Sequence, residues 1–275
     1  MGFAMFATLK IFSLQIISKV LFLCHSKVMD SNLVFNLLNI VDSTNNYAMA
    51  QIHAGLAKHG EAYFAISQTA GKGQRNKHWH SQPGENILFT IVIESPTLFE
   101  GVPFLFNAAV SLVCQQFLEQ ITSERVNIKW PNDLYIRDRK AGGLLIENIF
   151  RGKSWNWAGI GIGINVNQTG FPEATRNPIS IKHITGLKYD SEHLARQLQQ
   201  NIVARFDGLA DVDEKEIMKL YNEALFAAGK KVTLKHKDEI LETTVIRVNP
   251  DGQLITSDIV ERHFNFGEVE WVVAP

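Results

Sequence analysis

The chain has 275 residues, of which 45% are hydrophobic and 20% charged, and its formal net charge is -1. This is the balance of an ordinary globular protein, and so small a net charge argues against bulk attraction to nucleic acid or to an anionic membrane. Its two cysteines, Cys24 and Cys114, have no partner at metal-ligand spacing, which argues against a disulfide framework or zinc ribbon and fits a reducing cytoplasm.

The segment 1–28 differs from the rest of the chain because it is apolar, with scattered lysines and no acidic residue. Lys10 and Lys19 interrupt the apolar run too early for a membrane span, and no small-residue cleavage site follows it. We favour a start site assigned too far upstream, with Met29 as the natural first residue. A membrane-contacting leader and an export signal are the alternatives.

The next part of the chain predicts alternating strands and helices. A short strand is expected near 34–41, and the helix after it begins among the N-cap types of 42–45 and ends near Gly60. The pattern then predicts a strand, a long loop rich in glycine and cations, a buried strand and a helix, at 62–68, 69–85, 86–93 and 103–120. Cys114 lies in that helix with no histidine nearby, which favours a packing role over a nucleophile.

A hairpin region follows. VNIKW (126–130) alternates as a strand, PND turns, LYI (134–136) is a strand, RDRK forms the hairpin tip and LLIENIF (144–150) returns. Residues 190–228 read as helices. From Gly229 onward, short strands and an NPDG turn predict a small β-barrel. We therefore expect a leader at 1–28, a larger domain at 29–228 and a small domain at 229–275.

The strand WNWAGIGIGINVN (155–167) has two unlike faces. Its isoleucines point one way, while Gly159, Gly161, Gly163 and Asn165 point the other way. Alternating glycines weaken a strand, so their presence indicates a use for bare backbone. Either a ligand lies flat against it, or another element of the protein packs closely there.

The sequence GKGQRNKHWH, the glycine loop (71–80), combines glycines with Lys72, Arg75 and Lys77. Converging N–H groups and cations suit a phosphate, although the same residues also make ordinary solvated loops. The loop is neither a P-loop nor a dinucleotide fingerprint. His78 and His80 flank Trp79 without a third metal ligand in sight, which favours exposed loop histidines over a metal site.

Two lysines each allow two interpretations. Lys129 and Lys140 are either solvated at a strand end and a hairpin tip, or are fixed positive charges beside a developing anion. The small residues 141–143 would leave room for a ligand beside Lys140. In the same way, Asn132 and Asp133 are turn formers or ligand contacts.

Four segments in this order resemble the bacterial biotin protein ligases: DSTNNYA (42–48), SQTAGKGQRNKHW (67–79), KWPNDLYIRDRKAGGLLIE (129–147) and GIGINVN (161–167). The resemblance covers about residues 33–275. It implies an α+β fold, in which a mixed β-sheet with helices is similar to class II aminoacyl-tRNA synthetases and is followed by a small C-terminal SH3-like β-barrel.

The resemblance further implies an enzyme that makes biotinyl-5′-AMP from biotin and ATP with Mg²⁺. It then passes biotin to a lysine of a biotin carboxyl carrier protein or domain. The implied catalytic residue is Lys140, and no protein ligand for the Mg²⁺ is implied. The implied biotin-binding residues are Ser43, Thr44, Asn45, Gln68, Lys72, Gly73, Gln74, Lys140, Gly161 and Gly163. The implied ATP-binding residues are Lys72, Gln74, Arg75, Lys77, Trp79, Lys129, Asn132, Lys140 and Asn165.

The glycine loop departs from the family's usual GRGRRGR. Lys72 keeps a charge but lacks the fork of an arginine, Gln74 replaces an arginine, and Asn76 replaces a glycine. We therefore expect leakier retention of the adenylate, which a Gln74→Arg variant should reduce.

The segment before residue 33 is too short for the DNA-binding domain that some members carry, so we expect a single-function ligase in the cytoplasm, without operator binding or stable membrane insertion. The alternatives are a lipoate or octanoate ligase of the same superfamily, and a non-catalytic biotin-binding protein or regulator.

Overall fold

The computed structural model describes residues 33–94, 99–173, 175, 177–207 and 213–272, without the side chain of Asn76. The leader predicted at 1–28, and Cys24 within it, lie outside these residues. No helix in the described part of the chain is long and apolar enough to cross a membrane.

Seven strands form the larger sheet. They are β1 (Phe35–Val41), β2 (Ala62–Gln68), β3 (Ile87–Glu94), β4 (Val126–Lys129), β5 (Asp133–Ile136), β6 (Arg139–Arg151) and β7 (Ser154–Ile164). Their order across the sheet is β1-β2-β3-β7-β6-β5-β4. β1 and β2 pair in parallel and the other neighbours pair antiparallel, so the sheet is mixed, as predicted.

The described helices are α1 (Thr44–His53), α2 (Pro103–Thr122), α3 (Ile181–Thr185), α4 (Ser191–Asp207) and α5 (Glu214–Glu223), and a short 3-10 turn spans Gln74–Asn76. The prediction that the first helix extends to Gly60 is wrong. Gly55 ends it instead, because its φ of 71° is left-handed, and Leu56 N then donates to Gln51 O at 3.0 Å.

Five antiparallel strands form a second sheet: β8 (Lys231–His236), β9 (Glu239–Val248), β10 (Leu254–Ser257), β11 (Glu261–Phe264) and β12 (Val269–Val272). They lie in the order β11-β10-β9-β8-β12. This small C-terminal sheet agrees with the predicted SH3-like part, and the predicted fold class is confirmed. Its inner residues Leu234, Val245 and Leu254 belong to the same hydrophobic cluster as Ile128 of the larger sheet.

The two faces of β7 differ as their residues predict. Ile160, Ile162 and Ile164 are buried in the core beneath the larger sheet. The opposite side, which we call the glycine face, carries Gly159, Gly161 and Gly163 and lies toward the candidate site. Cys114 is buried inside α2, and burial raises the pKa of its thiol, which agrees with a packing role.

Candidate functional site

A cavity of about 500 Å³ lies between the glycine face, the glycine loop and the end of the second sheet, at β12 and Phe266 just before it. Its wall carries the following sequence-predicted residues: Ser43, Thr44, Asn45, Gln68, Lys72, Gly73, Gln74, Arg75, Lys77, Trp79, Lys129, Lys140, Gly161, Gly163 and Asn165. Asn132 instead lies buried behind the wall, where its side chain accepts from Gln74 Nε2 and donates to Leu144 O at 2.7 Å.

One end of the cavity is built from neutral polar groups at the start of α1. Ser43 is the N-cap residue, with an extended backbone, yet its side chain makes no capping bond and is buried against the cavity. Thr44 follows, and its backbone N–H donates to Gln68 Oε1 at 2.7 Å. The strand β2 ends at Gln68, so the chain places a hydroxyl pair and an amide side by side.

Protein side chains pack on the bare backbone of β7. A Cβ built on Gly161 would lie 1.9 Å from Asn45 Oδ1, and one built on Gly163 would lie 2.6 Å from Cε2 of Trp79. Close packing of other parts of the protein, and not a ligand lying flat on the backbone, therefore describes both Gly161 and Gly163. Asn45 and Trp79 themselves line the cavity, so the glycines shape the site through the side chains that they admit.

The glycine loop folds back on itself above the sheet. Trp79 N donates to Gly71 O at 2.9 Å, and Gly73 N donates to Lys77 O at 2.6 Å. Lys72 extends toward β6, where its Nζ lies 4.0 Å from Glu147 Oε1. The loop thereby places three cations, Lys72, Arg75 and Lys77, on the cavity wall.

Arg75 reaches across the cavity to the second sheet. Its backbone is left-handed, with φ 53°. Its Nη2 donates to Val269 O at 3.4 Å, its Nη1 lies 3.8 Å from Glu270 Oε1, and its guanidinium lies 5.3 Å from the Phe266 ring. The sequence suggested a nucleotide contact for Arg75 and gave no sign of this link between the loop and the second sheet.

Lys140 stands on the wall in a fixed ion pair. Its Nζ lies 2.6 Å from Asp133 Oδ1, and it lies 5.6 Å from the centre of the Trp79 ring. Its backbone is held by Asn177 O, which accepts from Lys140 N at 2.9 Å. Nδ2 of Asn165 donates to Ile179 O at 3.1 Å beside it, so Asn165 braces this strand. Lys140 is therefore a placed charge and not a freely solvated one.

Lys129 is enclosed by three aromatic rings, and only 7% of the residue is exposed. Its Nζ lies 4.8 Å from the ring centre of Tyr135, 5.1 Å from that of Trp271 and 5.8 Å from that of Phe226. We call these three rings the aromatic cage. Cation–π attraction of this kind strengthens as water is excluded. The solvated interpretation of Lys129 is therefore wrong.

Among the residues that the sequence analysis does not single out are two that hold the side chain of Asn45. Thr90 is fully buried in β3, and its hydroxyl lies 2.6 Å from Asn45 Oδ1. Glu147 of β6 accepts from Asn45 Nδ2 at 2.8 Å. The available signal was a single hydroxyl inside the apolar strand ILFTIVIE, opposite the glycines in register.

Charge is distributed unevenly around the cavity. Besides the neutral polar groups of Ser43 and Gln68, the wall carries five cations and three acids: Lys72, Arg75, Lys77, Lys129, Lys140, Asp133, Asp138 and Glu270. The described residues contain no group of three or more histidine, cysteine, aspartate or glutamate side chains arranged to hold a metal. Such a wall suits a ligand with a neutral polar head and a polyanionic partner.

Comparison with known proteins identifies the family. The sequence profile of the biotin/lipoate A/B protein ligase family matches residues 37–167. Residues 37–167 of this chain therefore form a domain of that family. The matched segment contains α1, the glycine loop, both lysines and the glycine face, so most of the cavity wall falls within the family match, while the wall at β12 lies outside it.

Two curated family members show how far the likeness extends. A biotin--[acetyl-CoA-carboxylase] ligase of Paracoccus denitrificans is 31% identical over 164 residues, which are 57% of this chain and 66% of that protein. The bifunctional ligase/repressor BirA of Escherichia coli is 35% identical over 114 residues, 40% of this chain and 34% of that protein. The match thus spans only about a third of BirA.

A solved family structure shares the fold over most of the chain. The biotin protein ligase from Aquifex aeolicus, in complex with biotin and ATP, superposes with a TM-score of 0.73 and covers 88% of this chain and 99% of its own. Its sequence identity is 24%, so this likeness establishes the fold alone.

Proposed function

We propose that this protein is an ATP-dependent biotin protein ligase. The observation that carries the proposal is the placement of Lys140. Its ammonium, paired with Asp133, faces a cavity whose other end presents Ser43, Thr44 and Gln68. A neutral polar pocket suits the ureido head of biotin, and a fixed cation beyond it suits a carboxylate that meets a phosphate. The names of the curated relatives and of the Aquifex structure support this choice of ligands.

In the first half-reaction, a biotin carboxylate oxygen attacks the α-phosphorus of ATP. A new O–P bond forms, the bond to the β-phosphate oxygen breaks, and pyrophosphate leaves with its electron pair. Negative charge grows on the phosphorus oxygens, where Lys140 supplies hydrogen bonds and charge from a position that Asp133 fixes. Lys72 and Lys77 of the glycine loop lie along the same cavity and would neutralise the remaining phosphate charge. Mg²⁺ bound to the phosphates would offset further charge, without a protein ligand.

In the second half-reaction, the amine of a carrier lysine attacks the acyl carbon of biotinyl-5′-AMP. The C–N bond forms, the bond from the acyl carbon to the phosphate oxygen breaks, and AMP leaves. The attacking amine must lose a proton, and Asp133 is the carboxylate that lies beside Lys140 on the wall. The acceptor that we propose is a biotin carboxyl carrier domain. The cytoplasmic location and the lack of operator binding remain predictions.

Pyrophosphate exchange into ATP tests the first half-reaction without a carrier. With biotin as the acid, we expect exchange that falls about 100- to 1,000-fold in Lys140→Ala. Lys153→Ala is the matched control, because Lys153 is an exposed lysine in the β6–β7 turn. Exchange with lipoate or octanoate in place of biotin would move the chain to the other branch of its family. Tight biotin binding without any exchange would instead identify a binding protein.

A further inference from the structure

We infer that Glu147, Asn45 and Thr90 form a hydrogen-bond relay that turns the Thr44 hydroxyl proton away from the cavity. The Thr44 oxygen then presents its lone pairs to the ligand and selects a ligand that carries an N–H group. These three are positioning residues, because they act through Thr44. The inference rests on the proposed function, since it assigns the selected group to the ureido N–H of biotin.

The first step of the relay fixes the amide of Asn45. Its Nδ2 lies 2.8 Å from Glu147 Oε2 and 3.2 Å from Leu145 O. A carboxylate and a backbone carbonyl only accept hydrogen bonds, so the nitrogen must lie on that side. The amide oxygen therefore points the other way, toward Thr90 and over the bare backbone of Gly161.

The second step follows from counting protons. The Thr90 hydroxyl has one proton, and Asn45 Oδ1, 2.6 Å away, can only accept it. The Thr90 oxygen must then accept the hydrogen bond from the Thr44 hydroxyl, whose Oγ1 lies 2.9 Å away. Thr90 is fully buried, and two hydroxyl oxygens in contact there without a proton between them would be costly. The Thr44 proton is thus directed inward.

Gln68 completes the arrangement. Its Oε1 already accepts from Thr44 N at 2.7 Å and lies 3.1 Å from Thr44 Oγ1. Because Thr44 has a single hydroxyl proton, a bond to Gln68 would leave the shorter contact with Thr90 without one. With the proton given to Thr90, Thr44 Oγ1 keeps its acceptor capacity at the cavity wall.

The relay defines a chemical class of ligand. A cyclic urea offers N–H donors to an oxygen of this kind, whereas the hydrocarbon or dithiolane end of octanoate or lipoate offers none. A site that forms a hydrogen bond with its ligand strongly rejects analogues that lack the matching group. An apolar pocket discriminates less strongly between ligands that differ only in size. Glu147 would therefore contribute to substrate choice although it is absent from the cavity wall.

The test measures biotin and ATP affinity of the full chain by titration calorimetry. Thr90→Val keeps the shape of the buried side chain and removes the relay hydroxyl. We expect biotin to bind about 10- to 100-fold more weakly, with ATP affinity unchanged. Thr90→Ser restores the hydroxyl and should restore biotin affinity. Glu147→Met should weaken biotin binding in the same direction, while Glu147→Gln retains an acceptor oxygen for Asn45 and should bind almost normally.

Pyrophosphate exchange separates selection from general damage. In Thr90→Val, the exchange rate with biotin should fall, and any residual rate with octanoate should stay the same. The ratio of the rate with biotin to the rate with octanoate should therefore decrease. Equal losses with both acids and with ATP would show a merely structural role and overturn the relay. Unchanged biotin affinity in Thr90→Val would overturn it as well. A wild-type chain that does not bind biotin would overturn the proposed function itself, together with the assigned ligand.

Discussion

At the scale of single residues, the ion pair of Lys140 and Asp133 depends on a missing side chain. A Cβ built on Gly143 would lie 2.9 Å from Asp133 Oδ1 and 3.3 Å from Lys140 Nζ. The pair therefore occupies space that any residue with a Cβ would contest. This explains in steric terms why the residue at position 143 is a glycine.

Gly143→Ala should displace this ion pair while leaving the strand intact. We expect biotin-dependent pyrophosphate exchange to fall about 10- to 100-fold. A catalytic group that is displaced by about 1 Å can lower the rate by about that factor. Gly170→Ala is the matched control, since a Cβ there would meet nothing within 4 Å. Equal exchange rates in the two variants would show that the geometry of the pair is unimportant.

We expect His183 to make the stability of the chain depend on pH. It forms a capping box with Ser180 at the start of α3, with Nδ1 2.9 Å from the Ser180 hydroxyl oxygen. Burial, and then the nearby Arg139 and Lys182, lower the pKa of His183 below its usual range. As the pH falls, His183 is therefore protonated at a higher pH in the unfolded chain than in the folded chain. Its contribution to stability is fully present above the pKa of the unfolded chain and is lost as the pH falls from that value through the pKa of the folded chain.

His183→Gln should remove this contribution. We expect the Tm of the unmodified protein to decline between neutral pH and about pH 5.5, and the Tm of the variant to decline less. Thermal unfolding followed by circular dichroism at several pH values measures the difference. His53→Gln, at an exposed end of α1, is the control. A parallel decline in all three proteins would refute the assignment to His183.

At the scale of elements, Lys129 and its aromatic cage connect the two sheets. Tyr135 belongs to β5, Trp271 to β12, and Phe226 lies in the connection between α5 and β8. Trp130, the next residue, donates from Nε1 to Gly252 O at 2.9 Å. The segment that precedes Asp133 is thus held by the second sheet, and a role of Lys129 in ATP binding remains a proposal.

Trp271→Leu should open the cage. We expect a loss of about 1–3 kcal/mol in the free energy of unfolding, from lost burial and lost cation–π attraction. Urea denaturation measures this loss, with Val272→Ala as the control on the exposed side of the same strand. A Trp271→Leu protein as stable as the control would show that the cage contributes little.

The sequence predicts most elements because their signals are local. The alternation in VNIKW and the isoleucine–glycine alternation of β7 need no distant information. The relay through Thr90 is different, because it depends on β3 pairing with β7 so that Thr90 lies opposite Gly161. The link from Arg75 to Glu270 likewise joins positions that only the folded chain brings together. Such contacts follow from register and docking, which hydrophobic pattern alone does not determine.

At the scale of the whole molecule, the two sheets share one hydrophobic cluster. Val248 of β9 is bonded in both directions to Asn222 of α5, with Val248 N donating to Asn222 Oδ1 at 2.7 Å. Leu225 and Leu254 both belong to the cluster. The division at 228/229 therefore remains a proposal about chain segments, and we do not expect the two segments to fold separately.

Calorimetry should show a single unfolding transition for the described part of the chain. Because the two sheets share one core, unfolding of either sheet exposes the apolar side of the other. Their unfolding is therefore coupled. Two well-separated heat-absorption peaks would contradict this and would support independent domains.

The cavity wall has a consequence for protein synthesis. It begins with Ser43 and is completed by Glu270 and Trp271, which are among the last described residues. Chains emerge from the ribosome from their N-terminus. Most of the larger sheet can therefore form while translation continues, but the site cannot be finished until Trp271 has been made and has left the exit tunnel. A nascent chain stalled shortly before that point would hold the polar groups of Ser43, Thr44 and Gln68 and still lack the far wall of its own pocket.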